Sequence, residues 1–533
     1  MIMKKYKIKY LIGSIFLMLV ITACTDLNEE ILDEFTEEVV TSDPALLPNI
    51  VAPSLGALRN LWLREDVWGI QETSSDECLY PTRGTDWYDG GVWQDQYLQE
   101  WKPTHRDIIA SWNTLSTGIS KANTSIANLG IPSNDEEQFL TEYRAQSIFI
   151  RAFFEYYLID IYGIVPVKDP YSTDYGELAE IKKRKEAFYY VTSEVKNILS
   201  SIVIRENAEY GVPNRDAALM LLAKLYLNKE VYLGVAGYDS CLIYIDELIA
   251  TGNYGLADDY FDMFSVENDS RYTLPDNEAI LVAPLDDGDN YGLDDRIQWV
   301  KTTFHYNQNL GSSFSNWNGC MAPQSYVEEC WFEGTDTATD VRWQDDRFYK
   351  DMAVMLGFNI GQQYDAETGD SLFTRGGDPL NFTVECPLTK ALENEGLRVL
   401  KYPPRVDPVN TSRTPNDYII WRYADALLMK AECEARLNRV SDAVTIVNEI
   451  RTKRNAPTIS ASTKEEILDK ILIERGLELY WEGHRRQDLI RFGRYLEPKT
   501  NKDFISPTTA LLCPIPQDAI DGSKGTIKQN PGY

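Results

Sequence analysis

The chain has 533 residues, of which 52 are basic and 82 acidic, for a net charge of −30. That charge repels phosphate backbones and excludes nucleic acid as a partner, while saying nothing about fold. The length suits one large domain or two or three ordinary ones, and 12 Trp and 32 Tyr exceed what packing usually demands.

In chain order, Lys4, Lys5, Lys7 and Lys9 form a basic head, and Leu11–Ile21 follows as an apolar run. The run is about half a membrane span, so residues 1–23 read as a removable export signal. The junction Ile21-Thr22-Ala23-Cys24 resembles the lipobox of bacterial lipoproteins, which implies that Cys24 carries lipid and begins the mature chain. Each buried acyl CH₂ contributes about 0.8 kcal/mol, so two or three chains anchor a protein firmly. The acidic stretch Thr25–Glu30 resembles the surface-export signal of Bacteroidota lipoproteins and points to the outer face of an outer membrane. Losing four lysines takes the charge from −30 to −34. No later segment is apolar enough to span a membrane.

Residues 24–533 read as one domain. Small and apolar residues at helical spacing predict helices over 112–129, 141–161, 217–228 and 240–250. Near the C-terminus, Trp421–Leu437 aligns Ala424, Leu427, Leu428, Ala431 and Ala435, and Ser441 caps a second helix over 442–453. Helix pairs of this kind resemble tetratricopeptide repeats and bury a continuous core by stacking. The fold class is therefore mainly α, with the helical scaffold in 105–255 and 415–495. Residues 62–104 and 256–414 read as long, aromatic-rich loops and short strands, and loops of that length are commonly functional.

Chemistry is sparse. Glu474, Glu478 and Glu482 recur every four residues and share a helix face that Gly483 ends. Carboxylates about 5–6 Å apart on one face do not flank a substrate bond, so they read as a charge network locking the helix to the scaffold. The three histidines are isolated, and no zinc, phosphate-loop or nucleophile-elbow motif occurs. No cofactor is expected. Asp365–Asp370 and Asp286–Asp289 are loose versions of a calcium loop, which leaves a structural calcium as the one alternative. Beyond Cys24, seven cysteines remain, with Cys320 and Cys330 the pair that a loop could join and Cys433 a core residue.

Two aromatic stretches are the binding candidates. Residues 81–93 offer Arg83, Asp86, Trp87, Tyr88 and Trp93; residues 304–319 offer Tyr306, Asn307, Trp317 and Asn318. Flat rings cover the C–H face of a sugar while Arg, Asp and Asn bond its hydroxyl rim. Trp62, Trp68, Trp101, Trp331 and Trp343 are expected in the core.

Several motifs carry a family resemblance. They are Arg144–Phe154, Tyr162–Pro166, Asp417–Glu432, Val447–Arg451, Ile473–Arg491, Pro514-Ile-Pro516 and Gln529–Tyr533. In this order they resemble the SusD/RagB family of outer-membrane nutrient-binding lipoproteins over nearly the whole mature chain. The resemblance implies a tetratricopeptide-like fold, an arc of aromatics as the site, and glycan capture without catalysis. The implied partners are an oligosaccharide or polysaccharide and a TonB-dependent (SusC-like) transporter that the protein covers as a lid. A peptide or glycoprotein-glycan ligand and a surface glycoside hydrolase are the alternatives.

Overall fold

The computed structural model describes residues 44–132, 137–174, 176–285, 299–308, 316–404 and 416–533. The export signal, Cys24, the acidic stretch Thr25–Glu30 and Asp286–Asp289 lie outside the described residues.

Helices α1 (Leu47–Ala57) and α2 (Val67–Thr73) precede α3 (Val92–Leu98) and the long pair α4 (Arg106–Asn128) and α5 (Gln138–Ile161). α4 starts six residues earlier than the apolar spacing predicts, because the His105 ring caps it by accepting the Asp107 N–H at 3.2 Å. It crosses α5 where Gly118 faces Phe154, and a Cβ at Gly118 would lie 2.4 Å from that ring. The hairpin β1 (Ile164–Val167) and β2 (Glu180–Lys183) leads into α6 (Arg184–Ile198), then α7 (Arg215–Leu227) and α8 (Tyr238–Ala250).

After the loop-rich middle come strand β9 (Tyr418–Arg422) and helices α9 (Tyr423–Arg436), α10 (Val440–Lys453), α11 (Lys464–Leu479) and α12 (Arg485–Arg491). From α4 to α11, helices neighbouring in sequence pack on one another in a row, and α9 also packs on α8 and α11. This is the mainly helical, tetratricopeptide-like scaffold the sequence implies.

Three local expectations are corrected. Trp421 and Arg422 are strand residues: the fully buried run Tyr418–Arg422 pairs antiparallel with β3 (Ala279–Ala283) before the helix begins. Ser441 lies inside α10, whose start follows the left-handed Asn438. Gly483 does not end α11, which stops at Leu479; Trp481 and Gly483 both take positive φ in the turn to α12.

The middle segment carries two further small sheets. β4 (Gln344–Asp345), β5 (Leu356–Asn359) and β8 (Arg398–Leu400) form an antiparallel sheet, and β6 (Gly361–Gln362) pairs with β7 (Asn381–Phe382). A buried charge cluster ties this segment to the helices. Glu478 accepts from Arg342, Arg422 and Arg454 at 2.9, 2.7 and 2.9 Å. Glu474 accepts from Arg342 and Arg451, Glu482 from Arg422 and Lys401, and Glu278 from Arg422 and Arg454. With Asp340 against Arg342, five acids face five bases. Glu482 lies beyond the helix end, yet joins the same cluster. Trp62, Trp68, Trp101, Trp331 and Trp343 are buried as expected.

Removing one partner of a buried pair strands the others. Glu478→Ala should therefore destabilise the fold by about 3–5 kcal/mol in chemical denaturation, an effect that a neutral result would contradict. Glu155, buried on α5, behaves oppositely: desolvation pushes its carboxyl up to about 8, and Arg151, 3.9 Å away, compensates only partly. The folded state keeps a proton that the unfolded chain releases above about pH 4.3, so this group costs stability as pH rises from there towards 8. Glu155→Gln should raise stability by about 1–3 kcal/mol at pH 8 and leave it unchanged near pH 4; melting curves at both pH values check this.

Candidate functional site

The two aromatic stretches meet. Residues 81–88 turn back at Gly84, where Arg83 and Asp86 exchange backbone hydrogen bonds of 3.0 and 2.9 Å. Residues 316–319 run beside 301–304, with Trp317 N–H on Lys301 at 2.9 Å and Asn318 N–H on Phe304 at 2.7 Å. The indole N–H of Trp87 donates to the Trp317 carbonyl at 2.9 Å, and Tyr306 Oη donates to Asp86 at 2.7 Å. Trp87 lies over Gly319, where an added Cβ would come within 2.5 Å of its ring. Trp87, Asp89 and Asn318 all hold positive φ, backbone that costs energy and persists where surroundings impose it.

Three of the nine candidate residues are turned into the protein. Arg83 donates to the carbonyls of Asn318 (3.1 Å), Glu395 (2.8 Å) and Leu392. Its guanidinium is therefore spent on chain carbonyls rather than on a ligand. Trp93 is fully buried, stacked on Tyr80 at 4.3 Å with its N–H on Asp89. Asn318 is fully buried, its amide oxygen taken by Arg398 at 2.8 Å and its NH₂ by the Glu393 carbonyl at 3.1 Å.

The other six reach the surface. Tyr88 is 58 % exposed and Asn307 is exposed; Asp86, Trp87, Tyr306 and Trp317 are half-buried. Trp87 serves as a pillar, bounded by Tyr80, Trp93 and Gly319. The Arg64 guanidinium sits 4.8 Å from the Trp317 ring and 5.5 Å from that of Trp87, a pair of cation–π contacts.

A third segment, read only as loop, completes the wall. Asn307 donates to the Phe373 carbonyl at 2.7 Å. Arg375 bridges Asp86 (2.9 Å) and Glu393 (2.5 Å) and covers the Tyr306 ring at 4.3 Å. Phe373, at 49 % exposure, adds a ring. His305 Nδ1 accepts the Asn307 N–H and its Nε2 meets Glu393 at 3.0 Å, which makes Nε2 the protonated nitrogen. Burial lowers the imidazole pKa, so the ring is neutral. The tyrosine hydroxyl, then Arg375, hold Asp86 below the usual carboxylate range. Glu393 is pushed up by desolvation but brought below its ordinary value by His305 and Arg375.

Arg64, Phe373, Arg375 and Glu393 had no motif to reveal them. The only available signal was the mixture of aromatic and charged residues in the middle third.

The chemistry of this wall is recognition. Glycoside hydrolysis needs a protonated carboxyl opposite an ionised one, and Asp86 and Glu393 are both held ionised. Glu474, Glu478 and Glu482 are buried and salt-bridged, beyond the reach of a substrate. Cys320 and Cys330 are free thiols, as are the other described cysteines. Asp365 closes a hairpin tip by accepting the N–H groups of Glu367 and Thr368. Among the described residues no group of three or more His, Cys, Asp or Glu is placed to hold a metal ion, and no helix is long and apolar enough to cross a membrane.

Comparison with known proteins agrees with this architecture. Residues 277–533 match the family described as "SusD family", and residues 71–227 match "Starch-binding associating with outer membrane". The starch-binding protein SusD of Bacteroides thetaiotaomicron is 25% identical over 503 residues, covering 87% of this chain and 85% of that one. SusD-like protein P2 of Formosa agariphila is 24% identical over the whole of both chains. Among solved structures, a SusD superfamily protein from Parabacteroides distasonis superposes with a TM-score of 0.70 at 18% identity, over 91% of this chain and 99% of that one. Surface glycan-binding protein A from Bacteroides thetaiotaomicron, in complex with laminarihexaose, gives 0.66 at 20% identity over the same shares. The helical row, the order of the motifs and these matches together make the chain a SusD-like protein of the SusD/RagB family.

Proposed function

We propose that this protein is a cell-surface binding protein that captures a glycan without cleaving it, is tethered through lipid on Cys24, and hands its ligand to a TonB-dependent outer-membrane transporter. The observation that carries the reading is the wall itself. Tyr88, Trp317 and Phe373 keep exposed ring surface, and Asp86, Asn307, Arg375 and Glu393 supply polar groups on the same segments. Rings that stack on C–H faces, edged by donors and acceptors for hydroxyls, are what sugar recognition requires. The relatives named as starch-binding and glycan-binding support this ligand class.

The rings differ in what they contribute. Trp87 supports the wall, whereas Tyr88 and Trp317 offer surface to a ligand. Isothermal titration against a panel of oligosaccharides tests the reading. Tyr88→Ala and Trp317→Ala should each weaken binding about five- to tenfold, the equivalent of about 1–1.4 kcal/mol, without shifting the melting temperature. Trp87→Ala should lower affinity and stability together. Unchanged affinity in all three variants would place the ligand elsewhere, and competition by peptides without response to sugars would replace the ligand class.

A further inference from the structure

The wall contains several guanidinium groups, yet each is already engaged. Arg83 and Arg398 are buried and bonded to chain carbonyls, with Arg398 also on the Asn318 amide oxygen. Arg64 pairs with Glu65 at 2.5 Å and lies against indole rings. Arg375 is the exposed one, and it stands between two carboxylates, Asp86 and Glu393. His305 is bonded to Glu393, with burial lowering its pKa, and Lys390 is an exposed lysine on the 373–393 stretch. At the edge Glu65 is paired with Arg64 and Asp89 accepts the Trp93 N–H, and the whole chain carries −30.

We propose that the ligand is an uncharged glycan, and that the Asp86–Arg375–Glu393 bridge is the element that selects against uronates and sulfated sugars. This rests on the glycan reading above and narrows it. Anionic ligands would have to displace Asp86 or Glu393 from Arg375, against the field of the remaining carboxylate and of an acidic protein. A neutral sugar meets no such cost. Its hydroxyls can donate to the carboxylate oxygens and accept from the guanidinium while the ion pairs stay intact. Specificity here comes from a repulsive element as much as from an attractive one.

The test is titration of the full-length mature protein with two probe sets at low and at moderate salt. The neutral set comprises gluco-, manno- and xylo-oligosaccharides, including laminarihexaose; the anionic set comprises oligogalacturonates and sulfated galactan oligosaccharides. Binding of at least one neutral probe, at least tenfold tighter than any anionic probe and little changed by salt, is the expected result. In the Asp86→Asn, Glu393→Gln double variant, checked for an unchanged melting temperature, Arg375 is released and anionic affinity should rise at least tenfold over wild type. Should the double variant unfold, Asp86→Asn alone is expected to give a smaller gain in the same direction. Anionic probes that bind wild type more tightly than neutral ones, and lose affinity with salt, would overturn the inference and leave the glycan reading standing. Binding of neither set would overturn both.

Discussion

Two buried guanidinium groups hold the candidate site together. Arg83 and Arg398 lie beneath the wall and bond to carbonyls from the 318 and 392–396 segments. A charge buried without hydrogen bonds is costly, and burial lowers the affinity of both groups for their protons. Arginine can bear this because its planar head carries five donors and stays charged. Apart from Arg398 Nε, their nitrogens find partners where the 83, 318 and 392–396 segments converge, which ties together the loops that carry Asp86, Trp87, Trp317 and Glu393. Gly396 permits the close approach: it takes a φ of 93°, and an added Cβ would lie 2.0 Å from Met321 Sδ.

The same logic operates at larger scale in the cluster around Glu478. There the charges are compensated largely by one another, and they come from Glu278 just before β3, the middle segment, β9, α10 with its C-cap Arg454, and α11. Many of the family's most recognisable residues do this kind of work. Arg144 caps the C-terminus of α4 through the Leu129 and Gly130 carbonyls. Asn530 of the terminal Gln-Asn-Pro-Gly-Tyr run donates to the Tyr162 and Cys513 carbonyls, and Trp101 donates to Tyr533. These motifs mark the scaffold; the candidate wall is built from residues outside them.

That division explains what could be read from the chain alone. Helices with small, apolar residues at regular spacing were legible because their period is local, and errors fell at ends decided by non-local contacts, as where strand pairing claims Trp421 and Arg422. The two aromatic stretches were legible by composition, and they do meet. Which of their members face outward was not legible, because an arginine in a polar loop looks the same whether its partners are solvent or carbonyls more than two hundred residues away. Arg375 and Glu393 were missed for the same reason: their meaning lies in contacts to Asp86 and His305 that no spacing encodes.

In the proposed function the ligand lies against the wall formed by residues 83–88, 304–308, 316–318 and 373–393. Two clefts of about 560 and 610 Å³ elsewhere, flanking the β1–β2 connection and lined in part by Tyr171 and Tyr190 in one and by Ser116 and Asn123 in the other, offer a ligand a rival location. Hydroxyl-radical footprinting with and without a bound oligosaccharide distinguishes them. Protection of Tyr88, Trp317 and Phe373, with Tyr171 and Tyr190 unchanged, is the expected result; protection confined to Tyr171 and Tyr190 would place the ligand in the cleft that they line.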